Sequence, residues 1–397
     1  MQIFRRNALG LSSPDHSFRC SAIAVLAVLL WVPGLLQAED AKEKPKAKPE
    51  FPSLEEVTKG FEEVKPKDGS KAYMRIWKNE KSGQMLAELP KDYEKNRQFI
   101  APTVSGGEEF AGLQSDAFYV YWKRYGKRLA LVQENLSIKG SDAESKSSVK
   151  RLFTDRVLLS QRILAMGKSG PVIDLDDLLV GNGDTFLDVS PQTALIKIKK
   201  AKVFKSNVEI AFEVPMYGGK LKSIHYSISE IKGSDGYKPR KADERIGYFT
   251  TSYSDYGKYE KDETKVRYIN RWHLEKSQDK LKLSPPKKKI RFYIEHTTPV
   301  RYRRWVRKGI LAWNEAFEQI GIEGAIEVLD GSEPEHKDKD PEDVRYNFVR
   351  WLNNNVSTAI GPSRVNPLTG EILDADIVLT DGWIRTFESQ FSELMPD

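Results

Sequence analysis

I-R-F-Y-I-E-H-T-T-P-V-R-Y-R-R-W-V-R-K-G-I-L-A-W-N-E-A-F-E-Q-I-G-I, residues 290–322, is the stretch from which an architecture can be argued. Ile290, Phe292 and Ile294 alternate with Arg291 and Tyr293, the period of a strand. Thr297 and Thr298 are candidate helix caps. Pro299 suits a first helical position, because the N–H it lacks would go unbonded there anyway. Trp305, Ile310, Trp313, Phe317 and Ile320 recur at helical spacing, with Arg303, Arg304, Lys308 and Glu315 off that stripe. Gly321 ends the helix, since glycine takes the left-handed conformation without penalty. Two further strands are expected at Ala325–Leu329 and Val344–Trp351. Thr369-Gly370-Glu371 then turns the chain into Ile372–Leu379. There Leu373, Ala375, Ile377 and Leu379 point one way, and Asp374, Asp376 and Val378 the other. The order is strand, long helix, strand, strand, edge strand.

Upstream the pattern changes. Leu54, Val57, Phe61 and Val64 indicate one short helix, and Tyr73–Trp77 with Gln84–Leu89 a small hairpin. From Phe110 to about Lys282 the chain reads as β-rich. Phe118–Trp122 and Arg128–Gln133 flank a Tyr125-Gly126-Lys127 turn and form a hairpin. Leu152–Ala165 fits either a strand pair or an amphipathic helix. Strands are expected at Val172–Leu179, Ala194–Ile198, Val208–Val214, Ser223–Ile231, Arg245–Ser252 and Lys265–Leu274. Glycine-rich turns at 181–183, 218–219 and 233–236 punctuate them. Such spacing argues for a sandwich, a barrel or a strongly curved sheet. There is no internal repeat.

The chain has 397 residues, enough for two or three domains, and a formal charge of +6. Lysines and glutamates are interspersed along its length, which argues against a nucleic-acid partner. The apolar run Ser21–Leu36 follows Arg5, Arg6 and Arg19, and Leu36-Gln37-Ala38 precedes Glu39. This reads as an export signal cleaved after Ala38, with an uncleaved anchor as the alternative. Cleavage there removes Cys20, the sole cysteine, so the exported chain has no disulfide and no stable membrane span. Glu39–Glu50 holds only Lys, Glu, Ala, Asp and Pro and reads as a tether. The expected division is signal 1–38, linker 39–50, a small accessory domain 51–109, a β-rich domain 110–285 and a last segment 286–397.

Candidate chemistry is sparse. The five histidines are His16, His225, His273, His296 and His336, and no two lie four residues apart. A catalytic zinc helix needs two histidines one turn apart with a glutamate between them, and that motif is missing. His296 reads as a structural or surface residue, and His336, in the polar loop Glu333–Asp340, as solvated. Asp174, Asp176 and Asp177 read as a solvated strand face, because no glycine-containing oxygen-ligand loop surrounds them. Asp374 and Asp376 likewise read as a solvated strand face, with one qualification: if Ile372–Leu379 is an edge strand, then Ile372, Asp374, Asp376 and Val378 flank a peptide cleft, since an unpaired edge can add an extended peptide. The exposed aromatics of 247–257, Tyr248, Phe249, Tyr253 and Tyr256, read equally as a working loop or as packing at a strand end. There is no phosphate-binding glycine loop and no serine nucleophile elbow.

R-I-G-Y-F-T-T-S-Y-S-D-Y-G at 245–257 resembles a stretch of large exported bacterial zinc-dependent metalloproteases. In these, two domains of unknown function precede an EcxA-type, metzincin-like catalytic domain. G-P-V-I-D-L-D-D-L at 170–178, V-R-Y-I-N-R-W-H-L-E-K at 266–276, residues 290–322 and 343–351, and A-I-G-P-S-R-V-N-P-L-T-G-E-I-L-D-A-D-I at 359–377 match in the same order. The resemblance implies an α+β chain. A β-rich N-terminal and middle part would lead into the first half of a zincin-like catalytic domain, a mixed sheet with one long helix and an edge strand. It implies peptide-bond hydrolysis at a zinc held by an H-E-x-x-H helix, with peptide or protein as substrate. No position here matches those ligands, and the resemblance places the catalytic residues beyond Asp397. The expectation is therefore a family member truncated before its zinc helix, binding no catalytic zinc and inactive as given. The alternative is a non-catalytic exported β-rich module that binds peptide or protein.

Overall fold

Side-chain alternation at every second residue builds most of this chain. The computed structural model describes residues 49–108, 111–112, 117–187, 190–260 and 264–395. The expected signal segment, its cleavage after Ala38, His16 and linker residues 39–48 lie outside the described residues. So does Asp397, so the expectation of catalytic residues beyond it meets no observation in the fold. Among the described residues, no helix is long and apolar enough to cross a membrane.

The fold is α+β and rich in strand. A one-turn helix α1 (Leu54–Val57) precedes β1 (Glu62–Val64), β2 (Arg75–Asn79) and β3 (Gln84–Glu88). β4 (Gln98–Gly106), β5 (Phe118–Tyr125), β6 (Arg128–Gln133) and β7 (Ile138–Lys139) come next. Helix α2 (Ala143–Leu152) starts on a reciprocal cap between Asp142 and Ser145. Then come β8 (Arg156–Arg162), β9 (Ala165–Met166), β10 (Pro171–Asp174), α3 (Leu175–Leu179) and α4 (Gly183–Leu187). β11 (Lys197–Val203), β12 (Asn207–Pro215), β13 (Leu221–Glu230), β14 (Thr250–Asp255) and β15 (Lys265–Ile269) complete the middle of the chain.

Two antiparallel sheets enclose the main core. One has the order β1-β2-β3-β10-β9, the other β11-β12-β13-β4-β5-β6-β8. Ile76, Met85 and Leu89 from the first meet Ile100, Trp122, Leu131, Phe212 and Tyr226 from the second. Tyr226 lies deep in this core, where its hydroxyl donates to the carbonyl of Leu179 at 2.8 Å. On β12, Val208, Ile210, Phe212 and Val214 face that core; on β13, Ile224, Tyr226 and Ile228 do. The intervening Glu209, Ala211, His225 and Ser227 therefore lie on the opposite face.

That opposite face meets the last segment. β16 (Ile290–Ile294), helices α5 (Val300–Leu311) and α6 (Trp313–Gln319), β17 (Ile326–Asp330) and β18 (Asn347–Leu352) lead to β19 (Ser363–Val365), β20 (Ile372–Ala375), β21 (Ile377–Thr380) and α7 (Asp381–Leu394). A four-stranded parallel sheet has the order β17-β16-β18-β21, and β19 pairs antiparallel with β20 beside it. Ile290, Phe292 and Val349 form a smaller core with Val306, Ile310, Phe317, Trp272 and Leu274.

Several expectations change. Strand pairing does not set 51–109 apart from the β-rich part, because β4 lies inside the large sheet between β13 and β5. Trp272 and Leu274 pack across the 285/286 division. Val172–Leu179 is not one strand: the Asp174 side chain accepts from Asp177 N at 3.0 Å and caps α3. Leu152–Ala165 resolves into the end of α2 and the strand β8, and the strand expected at Arg245–Ser252 begins only at Thr250.

The helix stripe is rotated. Trp305, Trp313 and Ile320 are exposed, and the face toward the sheet is Val306, Ile310, Asn314 and Phe317. Asn314 is polar yet inward because it bonds both the N–H and the carbonyl of Ile326, on β17, at 2.8 and 3.0 Å. A stripe drawn on hydrophobicity alone passes over that residue. Pro299 is the cap residue of α5 and no side chain caps it; Thr297 Oγ1 donates to Glu295 instead. Gly321 does end the helical stretch at φ +86, where an added Cβ would sit 2.6 Å from the Lys282 carbonyl oxygen.

Trp383, Phe387, Phe391 and Leu394 form an uncovered apolar stripe along α7. The purified chain should therefore raise the fluorescence of a hydrophobic dye. Phe387→Ser with Phe391→Ser should remove most of that signal while leaving the melting temperature nearly unchanged. A dye-silent wild type would contradict the exposure.

Candidate functional site

The outward face of β12 and β13 and the inward face of β20 and β21 enclose a cavity of about 530 Å³. Glu209, His225 and Ser227 line it from the large sheet, and Arg350, Arg364, Asp374, Asp376 and Val378 from the last segment. Period-two placement explains the composition. Each strand sends its apolar set to a core and its polar set here.

Glu209 is the anchor. Its side chain is 3% exposed, and Oε1 accepts from Asn207 Nδ2 at 2.6 Å and from Ser227 Oγ. His225 Nε2 lies 2.9 Å from Glu209 Oε2, off the line a hydrogen bond needs. Arg364 bridges the two layers, donating to Ser227 Oγ at 2.8 Å with Nε 3.8 Å from Asp374 Oδ2. Asn207 also donates to the Glu342 carbonyl at 2.7 Å, and Lys200 and Lys202 both pair with the Glu342 carboxylate. Burial pushes that carboxyl up, but the charges of His225, Lys200 and Lys202 outweigh it and hold it at about 2.

Asp374 and Asp376 behave oppositely. Burial is the largest influence on both and raises both. For Asp374, Arg364 lowers while Asp376 and Glu209 raise; for Asp376, the bond from Phe348 N at 2.7 Å and the charge of Arg350 lower. Asp374 Oδ1 is buried with no hydrogen-bond partner. Two carboxyls pushed toward their protonated form thus sit side by side, with one open acceptor on the cavity wall. It is not an acyl-transfer centre. Ser227 and His225 both address the same carboxylate, whereas a nucleophile needs the imidazole between serine and acid.

The four expected peptide-cleft residues divide. Asp374, Asp376 and Val378 line the cavity together; Ile372 starts β20 and is not among its lining residues. The single edge strand expected at Ile372–Leu379 is corrected. It breaks at Asp376, whose carboxylate takes the Phe348 N–H. Its outer side is also filled: Ile360 and Val378 exchange hydrogen bonds of 3.0 and 2.7 Å, and Asp376 N donates to Pro362 O at 3.2 Å. The rim of this sheet is thus residues 360–365, and Pro362, Ser363, Arg364 and Val365 also line a second cavity of about 760 Å³.

Sequence reasoning passes over His225, because it lies in a strand with no histidine or cysteine nearby. The alternation of Asn207, Glu209 with His225, Ser227 on strands otherwise apolar is the available signal. Asp174, Asp176 and Asp177 do not form a solvated strand face: Asp174 and Asp176 are half-buried, only Asp177 is exposed, and Asp176 accepts from Met85 N and Asp177 from Gln161 Nε2 at 2.9 Å. Burial, chiefly, raises the Asp176 carboxyl. His296 is exposed, and His336 is half-buried with its ring 5.4 Å from Tyr293. Tyr248, Phe249 and Tyr256 are exposed, while Tyr253 meets Tyr268. The catalytic zinc implied by the resemblance does not fit the described residues. Their one candidate group is Glu333, Glu335 and His336, in a single short turn whose two glutamates are exposed.

Residues 112–277 match the model of a family described as a domain of unknown function, DUF5117. No curated protein and no solved structure matches the chain.

The acids set a pH dependence whose sign can be worked out. A carboxyl raised above its ordinary 3.8 favours folding most below that value and loses the contribution as pH rises through its folded value. Glu342, ordinarily 4.5 and held at about 2, contributes above 4.5 and loses it as pH falls toward 2. Asp374→Asn should therefore leave urea stability unchanged only below about pH 4 and raise it progressively from there to about pH 8, flattening the decline. Glu209→Ala should cost about 3 kcal/mol, because it strands buried Asn207, Ser227 and His225 together. Equal urea curves for wild type and Glu209→Ala would contradict this.

Proposed function

We propose that this chain is a member of an exported zinc-dependent metallopeptidase family and that residues 286–395 supply its peptide-gripping sheet. The supporting observation is the order and direction of its elements. β16, the α5–α6 pair, β17, β18 and β21 form a parallel sheet in the sequence the resemblance requires, with residues 360–365 running antiparallel along its rim. An extended peptide would lie against that rim, over the cavity shared by Pro362–Val365 and the large sheet. Peptide hydrolysis is not routed through any residue here, since none fits the metal.

A second reading, an exported β-rich module that grips peptide without cleaving it, is favoured by that missing fit. Both readings predict that an extended polypeptide such as unfolded casein binds the purified chain. Binding should fall at least several-fold in Ser363→Pro, where a rim donor is lost. Zinc titration separates the readings from their opposite: no stoichiometric submicromolar site is expected. Stoichiometric zinc with casein cleavage would overturn the ligand argument, and no casein binding would overturn the rim.

A further inference from the structure

Helix α5 carries Arg301, Arg303, Arg304, Arg307 and Lys308, and the chain from His296 to Asn314 has no Asp or Glu. Cations without acids in a first turn oppose the helix dipole, so propensity does not explain them. Two have structural partners. Arg303 donates to the carbonyls of Thr298 and His296 and pairs with Asp330; Arg307 donates to the Val328 carbonyl at 2.6 Å. Arg301, Arg304 and Lys308 are exposed, and the contacts found for them are with rings. Arg301 lies 4.7 Å from the centre of Tyr302, and Arg304 and Lys308 lie 4.3 and 5.9 Å from that of Trp305.

Residues 301, 304, 305, 308 and 312 share one face of the helix, turned away from Val306 and Ile310. Trp305 stands on that face 55% exposed, flanked by Arg304 and Lys308, and Trp313 is 65% exposed at the start of α6. We infer that this face docks on an anionic lipid surface. Basic residues around a tryptophan make the composition of an interfacial helix, with the indole at headgroup depth and the cations among the phosphates. Charge complementarity selects the partner: Arg301, Arg304 and Lys308 outnumber Glu315, the exposed carboxylate that follows them in the first turn of α6, so the face is net cationic and suits an anionic surface. Nucleic acid is disfavoured, because the face runs only about 18 Å and Arg304 covers the ring on which a base would stack.

The test is sedimentation of the full chain with vesicles of phosphatidylcholine, with or without one-third phosphatidylglycerol, at low salt. Any contribution of the apolar run 21–36 is common to wild type and variants, so the readout is the anionic-over-neutral preference. The preference should be about a hundredfold and vanish in R301Q/R304Q/K308Q, since each cation near a charged surface contributes a factor of about five. Trp305→Ala should lower binding several-fold. K71Q/K81Q/K91Q, with the same net charge, should bind like wild type. Equal partition between the two vesicles would overturn the inference. So would insensitivity to the first triple, equal loss in the control triple, or saturable binding to a DNA duplex without a lipid preference.

Discussion

A sheet with two buried faces must satisfy two different neighbours, and the whole arrangement depends on how β12 and β13 do so. One face is wholly apolar and closes on the five-stranded sheet. The other carries Glu209, His225 and Ser227, which cannot be buried without partners. Arg364, Asn207, Lys200 and Lys202 provide partners or bring them from the last segment. The polar layer therefore fixes where the parallel sheet sits against the β-rich part. Apolar packing alone would tolerate sliding; directional bonds to a buried carboxylate do not.

The same layer is where charge is least comfortable. Surface pairs such as Lys78–Glu80 add little, being screened by water. Within the cavity the balance is local. Glu342 pairs with Lys200 and Lys202 and is held low, while burial pushes Asp374 and Asp376 up against the lowering charges of Arg364 and Arg350.

Much of this was legible in the sequence, and the misses have physical reasons. Strand positions and the closing glycine at 321 follow from alternation and left-handed geometry, which are local. The helix stripe failed because Asn314 faces inward to bond β17, and that need exists only once the neighbouring strand is in place. The supposed edge strand failed because Asp376 spends its carboxylate on the Phe348 amide and breaks the run. The facing of Asp374, Asp376 and Val378 was legible, as it depends on parity alone. Their burial was not, because it is imposed by strands more than a hundred residues upstream.

Hydrogen–deuterium exchange on wild type and Arg364→Ala tests the polar layer most directly. If it clamps the two parts, removing the bridge should speed exchange together in 223–230, 341–349 and 372–380, and leave the apolar core at 98–102 and 172–179 protected. Faster exchange confined to 360–375, with β13 unchanged, would contradict the account.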